Sequence, residues 1–400
     1  MKFKITDAEN LANVDGVPSD VPALVLDLSA SEGEGAYRRL LAAGDLAFAG
    51  ELHRRADGTL KDSAAAVRGA DLAFVNLETP IVRGSTPEDL FAAPDGAADI
   101  VVQSGFNVVN LANNHIQDHG AAHLTATRQA LEKAGAVVLG AGADPADARR
   151  LQIVPTKGAA DGPKIGWLAA ARTLQTQETT GDVFWEYDFN EMRNAVVEAR
   201  KHVDVVVVSL HMGYLYVDVP HPDQRRDALA LVHAGADIVL MHHAHVLQGV
   251  ETVAADQRKG VICYNLGNLL LDWNHGVQSI EAPNIEDQKT GAIFLFDIDS
   301  SGVRRLALLP TRVDEAWRLR WATGEEGRRI LERVERLSQD WDQNAAVFHR
   351  QMSERVAGLA ARSALTELRR GGWRAALSLL RRLRPHHLRM VWGALFRRRR

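Results

Sequence analysis

The chain reads as an α/β protein organised on parallel strands, and three features of its sequence predict that class. Val203 to Leu210 is a nearly pure β-branched run and Ala236 to Met241 is a second apolar run, the pattern of strands buried on both faces. Between them, Pro222 to Gly235 opens on a proline, spaces Ala228, Leu231 and Val232 along one face and ends on glycine, which predicts a helix with both boundaries written in. Strand, helix and second strand make a crossover whose carboxyl ends meet at the edge where open α/β sheets bind their ligands. His211 closes the first strand and His242, His243 and His245 close the second, so imidazoles gather there.

Composition sets the frame. With 400 residues and 46% hydrophobic content, the chain can bury one large core or two modest ones. The single cysteine, Cys263, excludes an internal disulfide and sits in the apolar run Val-Ile-Cys-Tyr as a buried structural thiol. The first thirty residues have no apolar stretch longer than Val21 to Leu26, so a signal peptide fails on its hydrophobic region, and no segment approaches a membrane span. A cytoplasmic protein is expected.

Residues 1–36 are acidic, carry Pro18, Pro22 and a Ser-Glu-Gly-Glu-Gly run, and predict an extension or peripheral strand without chemistry. From Tyr37 the chain rises into Gly44-Asp45, where an apolar strand ends on a carboxylate. Asp71 to Val75 runs into Asn76-Leu77-Glu78-Thr79, and Asn107 to Leu111 runs into Asn113-Asn114-His115 after a helix-like Ala97 to Gly105. A helix from Leu124 to Ala134 and a short strand at Val137 to Leu139 follow. The glycines of Gly140-Ala-Gly142-Ala-Asp144-Pro match no complete phosphate-binding fingerprint, so a plain turn is expected. Leu151 to Thr156 and Ile165 to Ala170 predict paired strands, and Glu191 to Lys201 a helix leading into the crossover. Beyond it, Val250 to Val253, Gly260 to Leu266, Ala292 to Ile298 and Arg304 to Val313 predict four more strands.

Four strand ends thus deliver Asp45, Glu78, Asn114 with His115, and the histidine clusters. Carboxylate, amide oxygen and imidazole form a hard-to-borderline donor set that suits zinc, manganese, iron or calcium, one or two ions. Any one of these residues alone is weak evidence, since most histidines are surface or hydrogen-bonded core residues; their joint placement at strand ends points to a clustered site.

The motifs Gly44-Asp45, Asn76-Leu-Glu78-Thr-Pro80, Asn110-Leu-Ala-Asn113-Asn114-His115 with Asp118-His-Gly120, Ser209-Leu-His211-Met-Gly213, His242-His243-Ala-His245 and Asn265-Leu-Gly267-Asn268 resemble, in order and spacing, those of the bacterial capsule-synthesis, CapA-like family of poly-gamma-glutamate biosynthesis. The resemblance covers Tyr37 to Val313. That family in turn resembles the calcineurin-type metallophosphatases, and the likeness implies a four-layer αββα sandwich over residues 37–314; residues 315–400, beyond the resemblance, are expected from their periodicity as a helical extension. It also implies roles. Asp45 resembles the first metal carboxylate, Glu78 the bridging acid, Asn114 the amide ligand, and His211, His243 and His245 the imidazole ligands, with His115 the catalytic histidine and His242 open to substrate contact. Ala47 stands where the metallophosphatase pattern has a histidine, which makes the half built on Asp45, Glu78 and His245 one ligand poorer than the half built on Glu78, Asn114, His211 and His243. Met212-Gly213-Tyr214-Leu215 also lacks the acid that capsule-family members commonly carry at that place.

Such a constellation suits hydrolysis or transfer at an amide, gamma-glutamyl or phosphoryl centre with His115 as acid and base. An acidic peptide or polymer is the substrate the family implies, and Arg83 and Arg172, near predicted strand ends, would meet its carboxylates, although arginines in loops are mostly ordinary surface residues. A metal-assisted peptide epimerase and a non-catalytic assembly protein fit the same residues.

After Val313, Glu325 to Ser338 and Ala345 to Leu368 have helical periodicity with interleaved charge and are expected as helices packed on the core. From Ser363 onward 11 arginines face the single Glu367, and Trp373, Leu377, Leu380 and Leu383 and then Leu388, Val391, Trp392 and Leu395 form apolar stripes. A basic amphipathic segment with tryptophan suits an anionic membrane surface, and equally a protein face; no reading motif for nucleic acid accompanies the charge.

Overall fold

The computed structural model describes residues 2–11, 14–28, 37–156, 162–173, 181–255, 258–272 and 285–355. The predicted crossover is present: Val205–His211 pairs in parallel with Ile238–His242 and sets His211 opposite His242. Its helix, Pro222–Ala234, starts with a reciprocal cap. The Asp223 N–H donates to His221 Nδ1, and the His221 N–H donates to the Gln224 side chain, so two of the donors that a helix start leaves open are satisfied. Gly235 then ends it with a positive φ that glycine adopts without strain.

The crossover belongs to a six-stranded sheet, in the order Val250–Ala255, Arg258–Cys263, Ile238–His242, Val205–His211, Ile165–Ala171, Gln152–Val154. A ten-stranded sheet faces it. Its main path runs Lys4–Asp7, Pro22–Asp27, Gly302–Val313, Thr290–Asp299, Arg38–Leu46, Leu72–Leu77, Val108–Asn110, Val137–Leu139, with Asn268–Leu270 added beside Arg38–Leu46 and Leu319–Trp321 beside Gly302–Val313.

Side-chain alternation divides the core in two. Leu40, Phe74, Val108 and Phe294 of the larger sheet meet Trp167, Val207, Leu240 and Val261 of the smaller. Phe74 stacks on Trp167 at 5.3 Å between ring centres. Each such side chain removed from water contributes about 1.5–3 kcal/mol, and together they hold the sheets face to face. Leu41, Ala73, Val75 and Val109 point the other way, onto helices Ala97–Gln103 and Ala121–Ala134. Helices Phe189–Ala199 and Pro222–Ala234 cover the outer face of the smaller sheet. The layers run helix, sheet, sheet, helix, the αββα sandwich that the resemblance implied.

Two segments outside the central strands join the core. The strand Pro22–Asp27 pairs with Gly302–Val313 and buries Ala23, Leu24 and Leu26, so of the two readings of residues 1–36, extension or peripheral strand, this stretch takes the second. Its run Pro-Ala-Leu-Val-Leu is short but apolar at every position, which lets it cover core on both faces. The chain divides into compact units Met1–Gln339 and Asp340–Arg400. Helix Gly324–Leu337 belongs with the sheets, against which it buries Ile330, Leu331 and Val334, the core packing expected of it. In the second unit residues 344–355 are helical. The basic tail from Ser363 lies outside the described residues. Among the described residues no helix is long and apolar enough to cross a membrane.

The Gly140 to Pro145 segment is a turn elaborated by pairing: Ala141–Gly142 lies against Val183–Phe184, and Asp144 caps the single turn Pro145–Ala148.

Candidate metal centre

Alternation along Arg38–Leu46 would by itself turn Asp45 outward with Leu41 and Ala43. A β-bulge prevents this. Ala42 lies opposite Phe74 but Asp45 lies opposite Asn76, so one strand uses three residues where its neighbour uses two. The slip re-aims Asp45 into the space between the sheets. Gly44 sits at the slip because a Cβ there would fall 2.0 Å from the Gly267 carbonyl oxygen. On the neighbouring strand Phe74, Asn76 and Glu78 share one parity and all face inward, while His211 has the inward parity of Val205 and Val207.

These placements bring the six donor residues together. Glu78 Oε1 lies 3.1 Å from His211 Nε2, and Asn114 Oδ1 lies 2.7 Å from the same nitrogen. His243 Nδ1 is 3.2 Å from it. On the other side Asp45 Oδ2 lies 3.3 Å from His245 Nδ1, and Glu78 Oε2 lies 3.8 Å from His245 Nε2. Donor atoms of Glu78, His211 and His243 fall within 4.8 Å of one another, as do those of Asp45, Glu78 and His245. Glu78 belongs to both halves. It is fully buried, and neither of its oxygens has a hydrogen-bond partner among the described residues; His245 Nε2 is in the same condition. Burying a carboxylate without a partner costs several kcal/mol, a cost that a cation held between these donors would offset. Oxygen and imidazole donors in this arrangement fit one or two divalent ions.

Charges in the cluster are strongly coupled. Burial and the Asp45 charge push the Glu78 carboxyl up to about 8. Burial opposes a charge on His245, but the Glu78 and Asp45 carboxylates outweigh it and push the ring up to about 9. Burial also works against ionisation of Asp45, yet hydrogen bonds from His242 and His245 hold its carboxyl well below the usual range. His211 is driven well below its ordinary value by burial and by His243. Burial and His245 likewise push His243 down to about 3. Burial thus favours neutral imidazoles at His211 and His243, while both Glu78 and His245 are shifted towards holding a proton.

His115 stands beside the cluster, near enough to His243 to act on its charge. Its Nδ1 donates to Asp118 Oδ2 at 2.7 Å, and its ring stacks on Phe91 with 3.7 Å between centres. Asn113 shapes the loop: its side chain donates to the Leu77 carbonyl and accepts from the His115 N–H.

The three residues expected to contact substrate stand in different relations to the cluster. His242 is fully buried and tilts over Phe74 at 5.6 Å, with Nδ1 3.2 Å from Asp45 Oδ1. It braces Asp45 from the core side, because the last position of its strand shares the inward parity of Ile238 and Leu240; the expected substrate contact is corrected to this place. The Arg172 N–H donates to the His211 carbonyl, so its backbone adjoins the centre, but its guanidinium lies 4.8 Å over the Tyr187 ring and 3.8 Å from Asp227. Arg83 is exposed in a loop, and among the described residues no hydrogen bond or ion pair ties it to the cluster.

Sequence reasoning missed the supporting amides. Asn76 donates to Asp45 Oδ1 at 2.8 Å and lies 3.1 Å from His211 Nδ1, while its own oxygen accepts from Asn110 at 2.7 Å. Both asparagines sit inside strands, where asparagine is depleted. That misfit with β-propensity was the available signal. Phe91, in a loop with φ of 49°, left none.

The model of the family described as bacterial capsule synthesis protein PGA_cap matches residues 39–273. The chain is 30% identical over 230 residues to the capsule biosynthesis protein CapA of Bacillus anthracis, covering 56% of this chain and 52% of that protein. It is 26% identical over 264 residues to the PGA biosynthesis protein CapA of Bacillus subtilis (strain 168), covering 62% and 63%. The chain thus spans about half to two thirds of these relatives. A solved structure of a hypothetical protein from Thermus thermophilus aligns with 68% of this chain and 98% of its own at 15% identity and a TM-score of 0.45. Since the matched segment runs through the strands that deliver Asp45, Glu78, Asn114 and the histidines and covers more than half of the sequence, the chain belongs to the bacterial capsule synthesis protein PGA_cap family.

Proposed function

We propose that this chain is a metal-dependent enzyme of capsule or poly-gamma-glutamate-type biosynthesis, acting by hydrolysis or transfer at an amide, gamma-glutamyl or phosphoryl centre. The observation that carries the reading is Glu78: a fully buried carboxyl group with neither oxygen hydrogen-bonded among the described residues, shared by two groups of donors. Asp45, Glu78 and His245 would hold one ion, and Glu78, Asn114, His211 and His243 the other. A divalent ion so held polarises a carbonyl or phosphoryl oxygen and makes water more acidic.

The chain's own residues do the rest. Asp118 accepts the His115 Nδ1 proton and so leaves Nε2 as the nitrogen that gives a proton to a leaving group or takes one from a nucleophile. Phe91 stacked on the ring limits its rotation, which keeps that nitrogen in one direction. Arg172, whose side chain is 47% exposed beside the His211 strand, would attract an acidic substrate by its charge.

Purified protein is tested with gamma-glutamyl amides and phosphoesters, with and without chelator, beside His115→Ala. Chelator-sensitive turnover that His115→Ala abolishes at normal metal content is expected. Turnover indifferent to chelator, or metal lost together with activity in His115→Ala, refutes the assignment. Incorporation of solvent deuterium without cleavage would replace hydrolysis by proton exchange.

A further inference from the structure

We propose that Asn268 is a positioning residue for the Asp45 half of the centre, selecting the nitrogen that His245 presents to an ion and holding that residue's backbone. The inference rests on the metal reading above. Asn268 begins the short strand that lies parallel to Arg38–Leu46, with Asn268 opposite Asp45. The chain reaches this point by leaving the six-stranded sheet after Cys263 and crossing to the ten-stranded one, with Asn265 Oδ1 accepting the Gly267 N–H in the turn. The Asn265-Leu-Gly267-Asn268 motif is thus the passage between the sheets, and it delivers one side chain to the centre.

The amide of Asn268 has a single admissible orientation. Its nitrogen donates to the Gln288 carbonyl at 3.0 Å and to the His245 carbonyl at 3.3 Å. Both partners only accept, so reversing the amide would set oxygen against oxygen twice. Oδ1 therefore faces His245 Nδ1, at 2.9 Å. An amide oxygen only accepts, which places a proton on Nδ1. Asp45 Oδ2, 3.3 Å from the same nitrogen, demands the same. The lone pair of a neutral His245 ring is then on Nε2, the buried atom that has no hydrogen bond among the described residues and lies 3.8 Å from Glu78 Oε2. Ligating histidines are commonly oriented by such a partner on their other nitrogen.

A second contact acts on the backbone. His245 has φ of 55°, a left-handed conformation that costs a residue with a Cβ roughly 1–2 kcal/mol. By donating to the His245 carbonyl while accepting from its ring, Asn268 grips this residue at both ends and keeps it in that conformation.

The experiment loads the full chain with zinc, counts ions per chain, measures the affinity of each half and records the proton–nitrogen correlation of the His245 ring. Wild type should hold two ions, with a protonated Nδ1 and a zinc-coordinated Nε2. Asn268→Ala should weaken the Asp45 half roughly 10- to 100-fold and leave the other half unchanged. Asn268→Asp loses the two bonds that the amide nitrogen donates to the His245 and Gln288 carbonyls but keeps an acceptor for Nδ1, so it should recover part of that affinity. Equal loss in both variants would mark a purely structural role and overturn the inference, as would wild-type affinity in Asn268→Ala. A wild type that fills only the His211 half overturns it too, yet leaves the metal reading standing; one that binds no ion at all refutes both.

Discussion

Replacing Gly44 with alanine adds one methyl group at the point where the two strands beside Asp45 approach most closely. The new Cβ would lie 2.0 Å from the Gly267 oxygen, 2.9 Å from the Gly267 carbonyl carbon and 3.2 Å from that of Leu266. Non-bonded heavy atoms settle at about 3.5 Å, so the strands must part by more than about 1 Å. Every clashing atom is backbone, and no side-chain rotation relieves it. Two buried bonds span this gap, from the Asp45 N–H to the Gly267 oxygen at 3.1 Å and from the Ala47 N–H to the Leu270 oxygen at 2.9 Å. Weakening both costs about 2 kcal/mol, and overpacking adds about 1–3 kcal/mol, so a loss of about 3–5 kcal/mol is expected. Urea unfolding measures it as a lower midpoint at unchanged slope. Because Asp45 rides on the displaced strand, ion content in its half should fall as well. Gly69 serves as control, since a Cβ there meets nothing within 4 Å. A Gly44→Ala variant destabilised by less than about 1 kcal/mol, with full ion content, would refute the crossing as the reason for this glycine.

Two further outcomes are expected. Ion binding in the Asp45 half must displace protons from Glu78, raised to about 8, and His245, raised to about 9, so affinity should climb with pH through neutrality and level off above that range. Calorimetry in buffers of different ionisation enthalpy should show proton release; an affinity indifferent to pH between those values would sink the charge assignment. Asp118→Asn keeps the shape beside His115 but removes the carboxylate that holds its Nδ1 proton, so turnover should drop on the order of 10- to 100-fold with ion content unchanged, and unaltered turnover would remove Asp118 from the mechanism.

Much of the centre was legible because the signals that announce it are local. Hydrophobic runs with a proline start and a glycine stop determine the crossover without reference to any other part of the chain, and each donor residue follows directly on such a run. The motifs around Asp45, Glu78, Asn114, His211 and His243 to His245 therefore predicted which residues would meet, and the structure brings those six together. Whether Pro22–Asp27 would be an extension or a peripheral strand stayed open in the sequence, because such a strand's burial depends on its partner, Gly302–Val313, which lies far along the sequence.

Only the tertiary structure decided how the donors are aimed. The bulge that turns Asp45 inward is a relation between two strands, and nothing in the order Ala42, Ala43, Gly44, Asp45 records the register of Leu72–Leu77 beside it. The same holds for His242, which a sequence cannot tell from His243 next to it: strand pleating sends the first into the core against Phe74, while the second leaves the strand at a φ of 93° and faces His211. The pairing of Asn268 with His245 joins a passage between sheets to the end of another strand. Sequence determines which groups are present and which local elements carry them; distances and proton positions arise when remote strands pack, since hydrogen bonds and burial act between neighbours in space.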